Sequence, residues 1–375
     1  MKFMNNRKTY NLSDICRFVT NRTCNIENYI STENMLPNKG GITSPSNIPC
    51  GSAIAYQLGD VLISNIRPYF QKIWQANCDG ACSADVLCIR ANEKANSKYL
   101  YYLLSQQKFF DYVMSGAKGC KMPRGDKSQI MQWQISLPPL AEQKRIADIL
   151  SVIDDKIELN RRINANLEQQ AQALFDEYFI HNIGKLGNYS TASLTDIAQF
   201  LNGLAMQKFR PKGNEDGIPV LKIKELGQGK CDASSDLCSS SIPKEYIINN
   251  GDIVFSWSGT LLVDIWCSGI CGLNQHLFKV LPLNYPKWLI YFWTKYHLSN
   301  FIRIAQDKAV TMGHIKRGDL DAAKVIIPSA DSLNELDKIM SPMLQSIISN
   351  RIENNNLSIL RDTLLPKLMS GEITV

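Results

Sequence analysis

Along residues 138–180 the positions of one seam, apolar but for two asparagines, advance by alternating steps of four and three: Ile146, Leu150, Ile153, Ile157, Asn160, Asn164, Leu167, Ala171, Leu174 and Tyr178. A repeat of about 3.5 residues predicts one long helix with a narrow seam that lies along a partner helix. No Pro or Gly falls between Pro139 and Asn182, and at ~1.5 Å per residue the helix is roughly 60 Å long, too long for an ordinary domain core. The pattern recurs near the C-terminus at Leu336, Met340, Met343, Ile347, Asn350, Asn354, Leu357, Arg361, Leu364 and Leu368. Ser332 with Glu335 reads as a capping box for that second helix and Gly371 as its stop. Arg361 and Pro366 depart from the first copy, so fraying or a kink is expected near the end.

The segments before and between these helices follow one script. In the first, residues 12–19 predict a short helix or strand capped by Ser13, and the Pro/Gly/Asn-rich residues 36–51 an exposed loop. Gly59-Asp60 turns into a strand at 61–66, another strand spans 84–90, and 97–114 is helical with Leu100, Leu103, Leu104 and Tyr112 on its core face. A basic loop, 116–127, leads to a strand at 130–137, and Pro138-Pro139 opens the long helix. In the second segment Leu194-Thr-Asp-Ile197 repeats Leu12-Ser-Asp-Ile15, and Gly251-Asp-Ile-Val-Phe-Ser256 repeats Gly59-Asp-Val-Leu-Ile-Ser64. Pro286-Lys-Trp-Leu-Ile-Tyr291 repeats Ser97-Lys-Tyr-Leu-Tyr-Tyr102, and from Met122/Met312 the spacing holds at 190 residues through Pro138/Pro328 and Asn160/Asn350.

The expected fold is α+β: two pseudo-repeated α/β domains, 1–137 and 183–328, joined by two long antiparallel coiled-coil helices, 138–182 and 329–375. Such a pairing would place one domain at each end of a rod. Asn160, Asn164, Asn350 and Asn354 occupy mid-helix seam positions, where buried Asn fixes register at a cost in stability; alternatively they lie solvated at the seam edge. Two related domains at a fixed separation suit a long repetitive ligand, and duplex DNA is one.

Composition narrows this picture modestly. With 45% hydrophobic and 20% charged residues in 375, the chain reads as globular, and no apolar run approaches the ~20 residues that span a bilayer. The first residues lack a signal-peptide core, so a cytoplasmic location is expected. Eleven cysteines point to free thiols rather than a disulfide framework. A net charge of +6 permits a nucleic-acid partner without demanding one.

Leu137-Pro-Pro-Leu-Ala-Glu-Gln143 with Ile146, Ile149-Leu150 and Ile153-Asp154 resembles the central region of type I restriction-modification specificity subunits. Asn350-Arg-Ile352, Leu364-Leu-Pro-Lys-Leu368 and Ser370-Gly-Glu372 resemble their C-terminal region. Gly251-Asp-Ile-Val-Phe-Ser-Trp-Ser-Gly259 and Leu273-Asn-Gln-His276 resemble their second target-recognition domain. The resemblance covers nearly the whole chain. It implies two target-recognition domains, each reading half of a bipartite double-stranded DNA site, and a helix pair that sets the spacer and docks two methyltransferase (modification) subunits. Restriction subunits join where they exist, and a methylation-only system is the alternative. The resemblance also implies no catalysis or cofactor in this chain, with S-adenosylmethionine, ATP and Mg²⁺ on partner subunits. Consistently, the sequence has no Asn-Pro-Pro-Tyr-type tetrapeptide, cofactor-binding Gly-x-Gly loop or phosphate loop; Gly227-Gln-Gly229-Lys230 reads as a plain turn. An enzyme with an unrecognised site and a scaffold that never touches DNA are the competing classes.

The candidate DNA contacts are mostly basic. Lys118, Lys121, Arg124 and Lys127 precede the last strand of the first domain, and Lys308, His314, Lys316 and Arg317 hold the matching place in the second, with Thr311 between. Such residues neutralise phosphates, and Arg can fork onto guanine; an ordinary solvated loop is the plainer alternative. Lys208, Arg210, Lys212, Lys222 and Lys224 form a second cluster, offset by Glu215, Asp216 and Glu225, that fits a solvated face as well as a DNA face. Gln275 and His276 suit base edges, although a lone His is commonly structural, and Trp257 suits stacking or a half-buried core place. On the helices, Arg161, Arg162, Glu168 and Gln169 are the implied docking face. Cys78/Cys82 and Cys267/Cys271 share a spacing but lack a second ligand pair, so no metal site is expected.

Overall fold

The computed structural model describes residues 7–45, 47–307 and 313–375. The chain divides into two compact units: Met1–Asp155 with Ser358–Val375, and Lys156–Leu357. Each unit combines one globular part with a stretch of both long helices, Leu140–Phe175 and Ala330–Ser370. No helix among the described residues is long and apolar enough to cross a membrane.

In the first unit Lys8–Asn11 pairs antiparallel with Gln134–Leu137, closing the domain's two ends on each other. A four-stranded antiparallel sheet runs Cys16–Phe18, Val86–Ala91, Val61–Ser64, Ile73–Gln75 in spatial order. Its apolar face meets Leu100, Leu103, Phe109 and Trp133, and the same core takes Ile146 and Leu150 from the first long helix and Leu365 and Leu368 from the second. Arg361, out of place in an apolar seam, reaches Asp154 at 2.8 Å, and Asp154 also accepts the Tyr102 hydroxyl at 2.7 Å. Local expectations shift in several places. The opening turn Leu12–Asp14 is capped by Asn11 with Asp14 rather than by Ser13. Residues 97–114 form two helices, Ser97–Leu104 and Gln107–Ser115. The break falls where Ser105 Oγ donates to Tyr101 O and Gln106 Nε2 to Leu103 O, side chains satisfying carbonyls at the helix end. The expected strand at 130–137 starts only at Gln134, after a short helix, Lys127–Met131, whose N-cap is Asp126.

The second unit repeats the order with Ala198–Asn202, Leu277–Pro282, Ile253–Ser256 and Leu262–Ile265, and Tyr189–Ser193 closes on Lys324–Pro328. Each unit also has a small second sheet: Arg22–Thr23, Ala53–Tyr56 and Gly80–Cys82 in the first, and in the second one in which Ile218–Leu221 lies parallel to Cys271–Leu273. The core of the second unit is aromatic: Phe175 stacks on Phe179 at 4.9 Å and meets Trp293 edge-on at 5.1 Å. After Phe175 the first long helix widens into a π turn, Asp176–His181. Phe175 and Phe179 are the fully buried residues there, while Leu174 and Tyr178 of the heptad pattern are only partly covered.

The helices run antiparallel within this unit, tied through the seam asparagines. Asn160 Nδ2 donates to Asn354 Oδ1 and Asn350 Nδ2 to Asn164 Oδ1, both at 2.9 Å, while Asn164 Nδ2 reaches Ile347 O at 3.1 Å. Asn160 is fully buried and Asn164 nearly so, which excludes a solvated seam edge for these two. Arg351 bridges Glu168 at 2.8 Å and Asp264 at 2.7 Å, tying both helices to a strand. Two expectations for the second helix change. It begins at Ala330, one turn earlier than a Ser332 cap allows; Ser332 Oγ donates to Leu186 O and Glu335 pairs with Lys338. It also stays helical through Pro366 to Ser370, before Gly371 at φ +80° ends it.

Candidate nucleic-acid interface

In the second unit the strand Ile253–Ser256 ends in Trp257-Ser258-Gly259, which is met by residues 313–315. Gly259 N donates to Gly313 O and Ile315 N to Trp257 O, both at 3.1 Å. Trp257 is half-buried; its Nε1 donates to Asn202 Oδ1 at 2.9 Å, and its ring lies 5.8 Å from Phe278 and 6.1 Å from His276. His276 Nδ1 is 2.9 Å from Ser258 Oγ, so one ring nitrogen is held internally while Nε2 has no partner among the described residues. His276 is thus held inside the protein through one ring nitrogen.

Two cavities flank this wall. One, of about 510 Å³, is lined by Phe200, Trp257, Phe278 and Leu320 with Asn202 and Arg317. The other, of about 280 Å³, is lined by Arg210, Lys222, Asp236, Asn274, Gln275 and His276. Candidates more than fifty residues apart thus share one hollow. The parallel pairing of Leu221 with Leu273, extended by Asn274 N donating to Leu221 O at 3.2 Å, sets Lys222 beside Asn274. Gln275 Oε1 is buried there without a donor. Lys222 is tied to Asp236 and Lys224 to Ser234, so neither is an unengaged cation. Lys208, Arg210, Lys212, Lys316 and Arg317 are exposed, as is His314, which bridges backbone to Ser258. Lys308 and Thr311 lie outside the described residues. Glu215 accepts from Ser239 Oγ, Ser240 Oγ and Ser240 N, and these bonds pull its carboxyl pKa down to about 2.

The first unit builds the matching junction with the same backbone bonds. Val61–Ser64 ends in Asn65-Ile66-Arg67; Arg67 N donates to Pro123 O at 2.8 Å and Gly125 N to Asn65 O at 3.4 Å. Ser64 Oγ donates to Ile66 O at 3.0 Å, as Ser256 Oγ does to Ser258 O at 3.2 Å. The basic loop folds into a hairpin, with Lys118 and Arg124 exchanging backbone bonds of 2.9 Å. Lys118, Lys121, Arg124 and Lys127 are all exposed. Lys118 lies 2.7 Å from Asp126, whose hydrogen bond raises its pKa, and Arg124 lies 3.1 Å from Asp85. Lys121 and Lys127 make no ion pair among the described residues. Beyond Arg67, Tyr69 and Phe70 are exposed with ring centroids 4.7 Å apart.

The sequence reading overlooked Asn65, Arg67, Tyr69 and Phe70, and Asn202 as the partner of Trp257. The duplication held the signal: extending the match of Gly59–Ser64 with Gly251–Ser256 by three residues lays Asn65 on Trp257 and Arg67 on Gly259. Together the two junctions offer cations for phosphates and amide, imidazole and guanidinium groups for base edges.

The proposed docking face of the long helices is also partly redrawn. Arg161 and Arg162 are exposed, Arg161 making only a 3.9 Å contact with Glu158, and Gln169 is exposed. Glu168 is held by Arg351 and belongs to the internal network. The same helix also exposes the apolar residues Ile149, Val152, Leu159 and Ile163. No group of three His, Cys, Asp or Glu able to hold a metal occurs among the described residues, and all eleven cysteines are free thiols.

Comparison with known proteins matches residues 4–169 and 187–360 to the type I restriction modification DNA specificity domain, once for each repeat. The type I restriction enzyme MjaIX specificity subunit of Methanocaldococcus jannaschii is 28% identical over 74% of this chain and 69% of its own length. The HindI specificity subunit of Haemophilus influenzae is 22% identical over 99% of this chain and its full length. Among solved structures, the type I restriction-modification S subunit from M. genitalium aligns over 98% of both chains with a TM-score of 0.58 at 15% identity, a likeness of fold.

Proposed function

We propose, for a chain that belongs to the type I restriction-modification DNA specificity family and so serves DNA sequence specificity, that its two domains, residues 1–137 and 183–328, each read one half of a bipartite site in double-stranded DNA. The observation that carries this reading is the repeated strand-end junction. The same backbone bonds hold Asn65–Arg67 against 123–125 and Trp257–Gly259 against 313–315, while the side chains they present differ. A scaffold kept constant beneath changing side chains is what two readers of different half-sites require. The exposed cations around each junction supply sequence-independent attraction to phosphates, and Gln275, His276 and Trp257 supply contacts to bases.

The paired helices set the spacer, with Asn160, Asn164, Asn350 and Asn354 fixing their register. Arg161, Arg162 and Gln169, with the apolar residues Leu159 and Ile163, form the face that docks two modification subunits; restriction subunits join where the system has them. In this reading the chain itself is non-catalytic and cytoplasmic, and S-adenosylmethionine, ATP and Mg²⁺ are bound by the partners. Mapping methylated bases in cells that carry this chain and its modification subunit tests it. Exchanging residues 1–137 for those of a relative should change one half-site and leave the other and the spacer alone; a change in both halves would contradict independent readers.

A further inference from the structure

We propose that Arg67 is a specificity-determining residue of the first domain, its guanidinium forking onto the paired acceptors of a guanine edge. This rests on the reading above that the first unit binds DNA, and it assigns one base contact within it.

The fold demands a left-handed backbone at this point. Gly259, the equivalent residue of the second unit, has φ +66°, and Arg67 has φ +49°. Glycine meets that demand without strain, whereas a residue with a Cβ is disfavoured. The first unit therefore carries an arginine where its own repeat shows that a glycine suffices, and the backbone bond to 123 or 313 is made either way.

Nothing among the described residues accounts for that side chain. Arg67 is half-buried, its Nε is buried without an acceptor, and its guanidinium makes no hydrogen bond or ion pair among the described residues. Its surroundings point outward to a ligand. Arg67 begins a turn that ends at Gln71, φ +50°, and a second strand of chain supports it, with Asn38 N donating to Phe70 O at 2.8 Å and Lys39 N to Gln71 O at 3.0 Å. Asn38 and Lys39 are left-handed as well, so four of the six described non-glycine residues with positive φ meet here. Such strain persists only where surrounding structure holds it, and it gathers where a ligand is held. Tyr69 and Phe70 stand exposed on the turn, and the cationic hairpin 118–124 is bonded to its base. Exposed, mobile lysines suit phosphates. A half-buried guanidinium on a fixed backbone suits the planar, two-point recognition of guanine.

Selection from a pool of randomised duplexes, with the chain assembled with its modification subunits, tests the assignment. Wild type should enrich a bipartite site with a guanine in the half that follows domain 1–137 on exchange. Arg67→Gly should melt at the same or a higher temperature, bind that site roughly ten- to a hundredfold more weakly, and lose the preference at that one position. Arg67→Lys, which keeps the charge and loses the fork, should lose the preference too. If wild type enriches no bipartite site, the reading of the domains as half-site readers fails. If wild type enriches one and Arg67→Gly enriches the same sequence, the domain reading stands and the role of Arg67 is overturned. Weaker binding with an unchanged preference would make Arg67 a phosphate contact and overturn it equally.

Discussion

At equivalent strand ends the first unit presents Asn65 and Arg67, and the second presents Trp257 and Gly259. Beneath both lies the same serine-capped turn, bonded to the same partner segment. The second unit spends the position on bulk: an indole wedged among Phe278, His276 and Asn202, between two cavities, on relaxed backbone. The first unit keeps a small amide there and places a cation on strained backbone instead. The difference shows how a duplicated fold diverges in what it presents. The hydrogen bonds that shape the junction are main-chain bonds, indifferent to side-chain identity, so the exposed side chains change freely above them.

Truncating the first residue of each junction should separate the two designs most sharply. Trp257→Ala removes a half-buried ring with aromatic neighbours and should cost about 2–3 kcal/mol of stability, less than the roughly 3–5 of a fully buried large aromatic. Asn65→Ala removes an amide whose Oδ1 is buried without a donor, so it should change stability by less than about 0.5 kcal/mol in either direction. Denaturant unfolding of both variants measures this. Equal losses would mean that Asn65 is as structural as Trp257.

Much of this architecture is written plainly in the heptads. The long helices and the duplication follow from residues such as Ile146, Leu150 and Ile157, whose spacing repeats at an offset of 190, whereas the antiparallel sense of the pair is what the family resemblance implies. Side chains that compete with the backbone are harder to read. Ser105 and Gln106 end a helix that apolar spacing would continue, and beyond Ala171 the first long helix buries Phe175 and Phe179 where the heptad placed Leu174 and Tyr178. The interface was legible as a set of residue types and illegible as a place. Lys222 and Gln275 meet only because a parallel strand pair aligns Leu221 with Leu273, a long-range choice that local pattern does not encode. Arg67 escaped notice because its backbone angle, rather than its identity, sets it apart.

The cations sharpen the comparison at a smaller scale. Lys118 is 81% exposed and its one partner, Asp126, also caps the helix Lys127–Met131 through Ser128 N and Gln129 N. Lys118→Ala should leave the melting temperature unchanged, since exposed pairs contribute little. It should weaken DNA binding a few-fold for all sequences and lower the slope of log affinity against log salt by about one. A changed base preference would show that Lys118 reads sequence and that Arg67 is not the distinctive feature of its unit.

The smallest effect is a pH dependence at one loop of the second unit. Its Gly213–Pro219 loop is gathered by Glu215, which accepts Ser239 Oγ at 2.6 Å and Ser240 N at 2.8 Å, whereas the 31–43 loop of the first unit is gathered by a neutral amide, Asn34, bonded to Ser31 N and Thr43 O. Hydrogen bonds favour the Glu215 carboxylate, moving its pKa from an ordinary 4.5 to about 2. A group with a depressed folded pKa adds stability that is complete above its unfolded pKa and is lost as pH falls through the folded one. The contribution should thus be full above pH 4.5 and decline between 4.5 and about 2. Followed by NMR, the Ser240 amide should stay in its bonded position until the pH approaches 2 in the wild type and shift little with pH in Glu215→Gln, while the Ser31 amide should shift little in either. A Ser240 resonance that moved with a midpoint near 4.5 would mean that Glu215 is an ordinary solvated carboxylate, and the two loops would no longer differ in how they are held.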